Sequence, residues 1–230
     1  MHDTGAGFYP RPGGREGIIG TLTERLSALL DSRRENPDWD AAYQDVLANL
    51  AREGFLEGVL REGARFPDFL LPNAAGRLVG LQEALKSGPV VLVFFRGEWC
   101  PFCKLMAEAL AEAAPRIAGA GGRLLALTPE TGDWPARLSA RHHGAFEVLA
   151  DVDFGVGVQA GVVYRVPPLY RARLARVDLP LRHGLAAWCL PVPAVFIIRP
   201  GGVVAWRFVH GDFARRPEPD EIIAQLKGLG

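Results

Sequence analysis

The chain is short of lysine, of cysteine and of long apolar runs, and it carries no net charge. Only Lys86, Lys104 and Lys227 stand among its 26 basic residues. That is a bias toward arginine and points to no function. The 26 acidic residues balance the basic ones, which argues against a dedicated nucleic-acid binder with its basic footprint. Three cysteines, Cys100, Cys103 and Cys189, are too few for a disulfide scaffold in 230 residues. An odd count with one close pair suggests redox or metal chemistry in a reducing compartment. The longest apolar run, Pro89 to Phe95, is far too short to span a bilayer. The first residues lack the apolar stretch behind a basic region that marks a secretory signal, so a cytoplasmic protein without membrane contact is expected. Hydrophobic residues make up 49% and charged residues 23%. That excludes a wholly disordered chain, which could not bury enough apolar surface to offset its conformational entropy.

Residues 1–20 carry Gly5, Gly7, Gly13, Gly14, Gly17 and Gly20 with Pro10 and Pro12, and show no periodic face. They are expected to form a flexible leader. From Thr21, Leu22, Leu26, Leu29 and Leu30 form one helical stripe, which Asn36-Pro37 ends. Asp38 is a candidate N-cap for a second helix through Tyr43, Val46, Leu47 and Leu50. Residues 21–62 hold an acidic excess and no reactive constellation. They are expected to be a helical arm packed on the main domain or on a second subunit.

The main domain is expected over residues 63–230. Arg77 to Leu81 follows a turn signal and suits a short hairpin strand. Val90 to Phe95 is β-branched and aromatic almost throughout, the signature of a strand buried on both faces. Pro101 to Ile117 is helical, with Pro115 placed to kink or shorten its end. A strand at Arg123 to Thr128, a helix at Asp133 to His142, a strand at Phe146 to Leu149 and a short helix at Phe154 to Ala160 follow. Two strands, Ala194 to Ile198 and Val203 to Phe208, flank the Pro200-Gly201-Gly202 turn, and Pro219 to Leu229 closes as a helix. This order predicts an α/β three-layer sandwich. Residues 164–183 interrupt it with Arg165, Arg171, Arg173, Arg176 and Arg182 and three prolines. The segment is too long for an ordinary connection, so it is a functional insertion or a flexible loop.

The sharpest signal is Arg96-Gly97-Glu98-Trp99-Cys100-Pro101-Phe102-Cys103, where a buried strand turns into a helix. A helix N-terminus presents unpaired N–H groups and partial positive charge, which lower the pKa of a cysteine placed there. Two cysteines three apart on that turn can form a disulfide or exchange with one. Pro101 suits the first helical position, where its missing N–H has no partner to lose. The alternatives are half of a structural zinc site and a non-catalytic binding module. Zinc takes about four ligands, and no second C-x-x-C exists. Cys189 with His142, His143 or His183 has no ligand-like spacing.

At these residues the sequence resembles thioredoxin-fold oxidoreductases, through Trp-Cys-x-x-Cys after a hydrophobic strand. The wider pattern resembles the peroxiredoxin-like branch of the alkyl hydroperoxide reductase/thiol-specific antioxidant superfamily. Phe66-Pro67-Asp68-Phe69-Leu70, Ala150-Asp151, Gly161-Val162 and Leu190 to Ile198 carry it further. The resemblance implies a thioredoxin-like fold and thiol-based redox chemistry with no metal or organic cofactor. The substrate is then a peroxide or a disulfide, and the reductant a thioredoxin-like protein or a low-molecular-weight thiol; a homodimer is left open. The sequence departs from the peroxiredoxin frame Pro-x-x-x-Thr/Ser-x-x-Cys: Arg96 and Cys100, or Val93 and Gly97, fall at its first two fixed positions. Pro193 stands where the resemblance places either a peroxiredoxin arginine or the cis-proline of thioredoxins, so Val192-Pro193 is expected to be cis.

The thioredoxin alignment makes Cys100 the exposed nucleophile and Cys103 the resolving thiol; the peroxiredoxin alignment would exchange them. Trp99-Cys100 and Pro193 favour the first. Arg96 could add positive charge. Trp99 suits packing beside the motif. Glu98 is a proton acceptor or a turn residue, Cys189 a buried hydrophobe or a second resolving thiol, and His142-His143 a solvated pair at a helix end.

Overall fold

The computed structural model describes residues 20–184 and 188–229. All but Gly20 of the expected leader lies outside the described residues. Helix α1 (Leu22–Arg34) starts on a capping box, the Thr21 side chain taking the Glu24 N–H while the Glu24 carboxylate takes that of Thr21. The Glu218 carboxylate also accepts the N–H groups of Leu22 and Thr23, so a negative charge sits at the positive end of α1. Helix α2 (Pro37–Arg52) is capped by Asn36, not Asp38. Pro37 takes the first helical position, where it loses no bond, and this moves the start earlier than expected. The two helices pack on the main body, α1 against α4 (Pro101–Gly119) and α2 against α7 (Pro168–Leu174).

Strands β1 (Leu70–Pro72) and β2 (Leu78–Gly80) form an antiparallel hairpin leading into α3 (Leu81–Leu85). The central sheet has the order β5-β4-β3-β8-β9. Strand β3 (Val90–Phe94) pairs in parallel with β4 (Arg123–Thr128), which pairs in parallel with β5 (Glu147–Ala150). On its other side β3 runs antiparallel to β8 (Ala194–Arg199), and β8 to β9 (Val203–Val209). All five residues of β3 are buried, so both faces of the sheet are covered and the sandwich has three layers. Helix α4 runs through Pro115 to Gly119 without shortening. Helices α5 (Trp134–Arg141), α6 (Gly155–Gln159) and α9 (Pro219–Lys227) complete the frame.

The segment 164–183 is not a flexible loop. Strand β6 (Val163–Arg165) pairs with β7 (Cys189–Pro191), and α7 and α8 (Leu179–His183) lie between them. Tyr164, Tyr170, Leu174 and Leu179 are buried, and those four anchors hold the insertion against the body. Among the described residues no helix is long and apolar enough to cross a membrane.

Candidate active site

The loop between β3 and α4 carries the site. Phe95 donates its N–H to Leu127 on β4, so the chain stays on the sheet until Arg96. Gly97 then takes φ 140°, and a Cβ there would lie 2.5 Å from Trp99 Nε1 and 2.8 Å from Glu130 Cδ. Only glycine fits. Cys100 is the N-cap of α4, Pro101 is its first residue, and Cys103 lies one turn in.

Cys100 is fully buried, with 0% exposure, and Cys103 has 2%. The expectation that the Cys100 sulfur faces solvent is therefore wrong. Tyr170 of the insertion and Phe213 from the segment after β9 close over Arg96, which sits beside the thiols. The Arg96 guanidinium lies 4.0 Å from the Phe213 ring centre and 5.1 Å from that of Trp99. It donates to Tyr170 Oη at 3.0 Å and reaches Cys100 Sγ at 4.0 Å. From α2, Trp39 stacks on Phe102 and Tyr43 packs edge-on against Phe213, so the arm backs this wall.

Two guanidinium groups meet the two sulfurs. Cys103 Sγ accepts the Arg96 backbone N–H at 3.4 Å and Arg216 Nη2 at 3.8 Å. Burial pushes the Cys100 thiol up. A hydrogen bond from Cys103 and the charges of Arg96 and Arg216 outweigh it and bring Cys100 down to about 5. Burial, reinforced by that donated hydrogen bond, holds Cys103 well above the ordinary thiol value. Both shifts favour the charge on Cys100 and the proton on Cys103.

A second, carboxylate network frames the loop. Glu130, fully buried, accepts the Glu98 N–H at 2.6 Å and Arg182 Nη1 at 2.6 Å. It thus ties the cysteine loop to α8. Burial raises the Glu130 pKa despite these two donors. Glu98 pairs with Arg141 at 2.6 Å and Lys104 at 3.4 Å. Burial pushes its carboxyl up, but the two cations win and hold it below the usual range. Glu98 is an ion-pair residue at the loop rather than a free proton acceptor.

Of the residues singled out in sequence, Arg96, Trp99, Cys100, Pro101 and Cys103 come together. Pro193 is buried where β8 begins, beside the register pair Phe94–Ala194. The Val192-Pro193 bond is not cis, for no cis peptide occurs among the described residues. Val192 N–H bonds to the Val162 carbonyl and holds the chain extended into β8, which suits the ordinary trans bond. Cys189 is free and half-buried on β7. His142 is buried and stacked on Phe146, not solvated, while His143 is exposed. No group of three or more His, Cys, Asp or Glu side chains among the described residues could hold a metal ion.

Sequence reading missed Tyr170, Glu130 and Arg216, and named Arg182 only as one of the arginines of the insertion. Each lies far along the chain from the cysteines, and a lone polar residue in a loop or short helix carries no local signal of its partner.

Residues 63–207 match the AhpC/TSA family. No curated protein matches the sequence. Among solved structures, the chain is similar to peroxidoxin BcpB from Mycobacterium tuberculosis at 21% identity, covering 74% of this chain and 99% of that one, with a TM-score of 0.57. It is similar to the peroxiredoxin 6 of Arenicola marina, solved with one cysteine replaced by serine, at 17% identity, 74% and 73% coverage and a TM-score of 0.57. Mycobacterium tuberculosis AhpC gives 15% identity, 74% and 93% coverage and a TM-score of 0.56. At these identities the structures speak for the fold alone.

Proposed function

The chain belongs to the AhpC/TSA family and is a thiol-dependent oxidoreductase with a thioredoxin-like fold, and on that basis we propose that Cys100 and Cys103 are its working dithiol. The observation that carries the reading is the geometry at the start of α4, where Cys100 caps the helix with the Arg96 guanidinium 4.0 Å from its sulfur and Cys103 lies one turn in. The thiolate is the reactive form of cysteine, and the helix end, Arg96 and Arg216 favour it at Cys100. The Cys100 thiolate attacks an O–O bond. It gains the distal oxygen as a sulfenic acid, and the alkoxide or hydroxide leaves with a proton as alcohol or water. Cys103 then attacks the Cys100 sulfur. The S–O bond breaks, the Cys103 proton leaves with the hydroxide as water, and a Cys100–Cys103 disulfide remains. Two electrons from a thioredoxin-like protein or a low-molecular-weight thiol restore the dithiol. The reducing setting this cycle needs fits the cytoplasm.

Because both sulfurs are buried, substrate entry requires the wall formed by Tyr170 and Phe213 to move. The test is stopped-flow mixing of the reduced protein with hydrogen peroxide, followed by peptide mapping. Rapid oxidation with Cys100 linked to Cys103 and Cys189 free is expected; a dominant Cys189 linkage, or oxidation no faster than that of free cysteine, would overturn the reading. A second reading, disulfide reductase, draws on the same Trp-Cys-Pro-Phe-Cys dithiol. It is favoured if insulin is reduced rapidly while peroxide is not.

A further inference from the structure

Arg216 lies outside the stretch that matches the family, residues 63–207, in the connection between β9 and α9. Its side chain is buried, with 6% exposure. One face is held by backbone, Nη1 donating to the carbonyls of Phe213 and of Arg215, the latter at 2.8 Å. Nη2 reaches Cys103 Sγ at 3.8 Å, and Nε has no partner. None of the ion pairs among the described residues involves Arg216. A buried guanidinium with no carboxylate partner is costly, so its place beside a sulfur asks for a reason.

In the reduced protein Cys103 is the protonated member of the pair, and a thiol is only a weak acceptor. Yet its sulfur faces two donors, Nη2 of Arg216 and the Arg96 N–H at 3.4 Å. That cradle suits a Cys103 thiolate. Such an anion forms transiently when the disulfide opens.

We propose that Arg216 is a catalytic residue of the reductive half of the cycle, stabilising Cys103 as the leaving thiolate. The assignment rests on the dithiol reading above. A donor thiolate attacks Cys100 Sγ and forms a mixed disulfide. The Cys100–Cys103 bond breaks, and its electron pair passes to Cys103 Sγ beside the Arg216 guanidinium. A second donor thiolate then attacks the donor sulfur of the mixed disulfide and releases Cys100 as thiolate. Cys103 takes a proton from solvent. The donor leaves as its own disulfide, having given two electrons. A leaving thiol of lower pKa departs faster, and Arg216, which also adds charge near Cys100, is the guanidinium in contact with the departing sulfur.

The test separates the half-reactions in Arg216→Gln and Arg216→Lys. The oxidised proteins are reduced with dithiothreitol in single turnovers, and the reduced proteins are oxidised with hydrogen peroxide. In Arg216→Gln the reductive step should fall about tenfold, and by a clearly larger factor than the peroxide step, to which Arg216 contributes only through its charge near Cys100. Arg216→Lys, which keeps the charge, should recover most of the reductive rate. An unchanged reductive rate in Arg216→Gln, or equal losses in both variants or in both half-reactions, overturns the proposal. Should the Gln variant fail to fold, Cys100→Ser provides the second measurement. With no competing thiolate, and with the Arg216 guanidinium and the Arg96 N–H at its sulfur, Cys103 should show the ultraviolet absorbance of a thiolate at neutral pH. An ordinary free cysteine, with a pKa of about 8.5, is mostly protonated there. Absence of that absorbance also overturns the assignment. Failure of the dithiol reading is seen separately, as wild-type protein in which no Cys100–Cys103 disulfide forms.

Discussion

Cys100 and Cys103 are chemically identical residues set apart by three positions of chain and by what surrounds each sulfur. Cys100→Ser is expected to abolish peroxide turnover, whereas Cys103→Ser leaves a protein that accumulates mixed disulfides with small thiols, detectable by intact mass. Alkylation with iodoacetamide at about pH 6 should mark Cys100 first, because its thiol titrates near 5. The same shift makes the stability of the reduced protein depend on pH. Between about 5 and the ordinary thiol range, the unfolded chain binds a proton that folded Cys100 has released. Stability therefore rises with pH and is lost as pH falls toward 5. His183, buried and pushed down to about 4, adds loss in the same direction below the ordinary histidine range. The readout is thus the difference between wild type and the double variant Cys100→Ser/Cys103→Ser, which has no thiol at the site. Urea midpoints of the reduced proteins should converge as pH is lowered from about 8 to about 5; parallel curves would contradict the charge arrangement.

Among the elements, the insertion is the one whose role depends most on contacts from elsewhere. Its two helices reach the cysteine loop through Tyr170 on Arg96 and Arg182 on Glu130. Glu130→Gln leaves the Arg182 charge without its partner in a largely buried position, with an expected cost of about 3 kcal/mol in chemical denaturation. Tyr170→Phe removes the hydroxyl that accepts from Arg96 and loosens the wall over the thiols. It should speed alkylation of Cys100 severalfold with little change of fold by circular dichroism; a slower reaction would show that Tyr170 does not gate the site. At the other end of the chain, Thr21→Ala removes half of the α1 capping box. A loss of about 1 kcal/mol is expected by urea titration.

Across the molecule, the helical arm and the segment after β9 build one aromatic wall. Trp39 and Tyr43 meet Phe102 and Phe213, and Phe213 meets Arg96. Tyr43, 3% exposed, anchors this contact. Tyr43→Ala is expected to cost about 3 kcal/mol and to raise the alkylation rate of Cys100, because the wall that excludes reagent loses its backing. Thermal unfolding together with alkylation kinetics checks both halves of that expectation.

Much of this fold is written in local pattern. Runs such as Val90 to Phe94 and Arg123 to Thr128 have one stable use, as strands in a covered sheet, and their composition suffices to read them. The glycine, proline and cysteines of residues 96–103 obey rules that act within a single turn, so the start of α4 and its dithiol were legible too. Packing between distant segments set the rest. It buried Cys100, which spacing alone leaves at an open helix end. It kept Val192-Pro193 trans through a bond to Val162, some thirty residues away in the chain. It folded residues 164–183 over the site and brought in Arg216 from beyond the last strand. These outcomes share one cause. A thiolate is shaped by every charge and every excluded water within a few ångströms, and most of those neighbours are set by chain crossings that no local periodicity records.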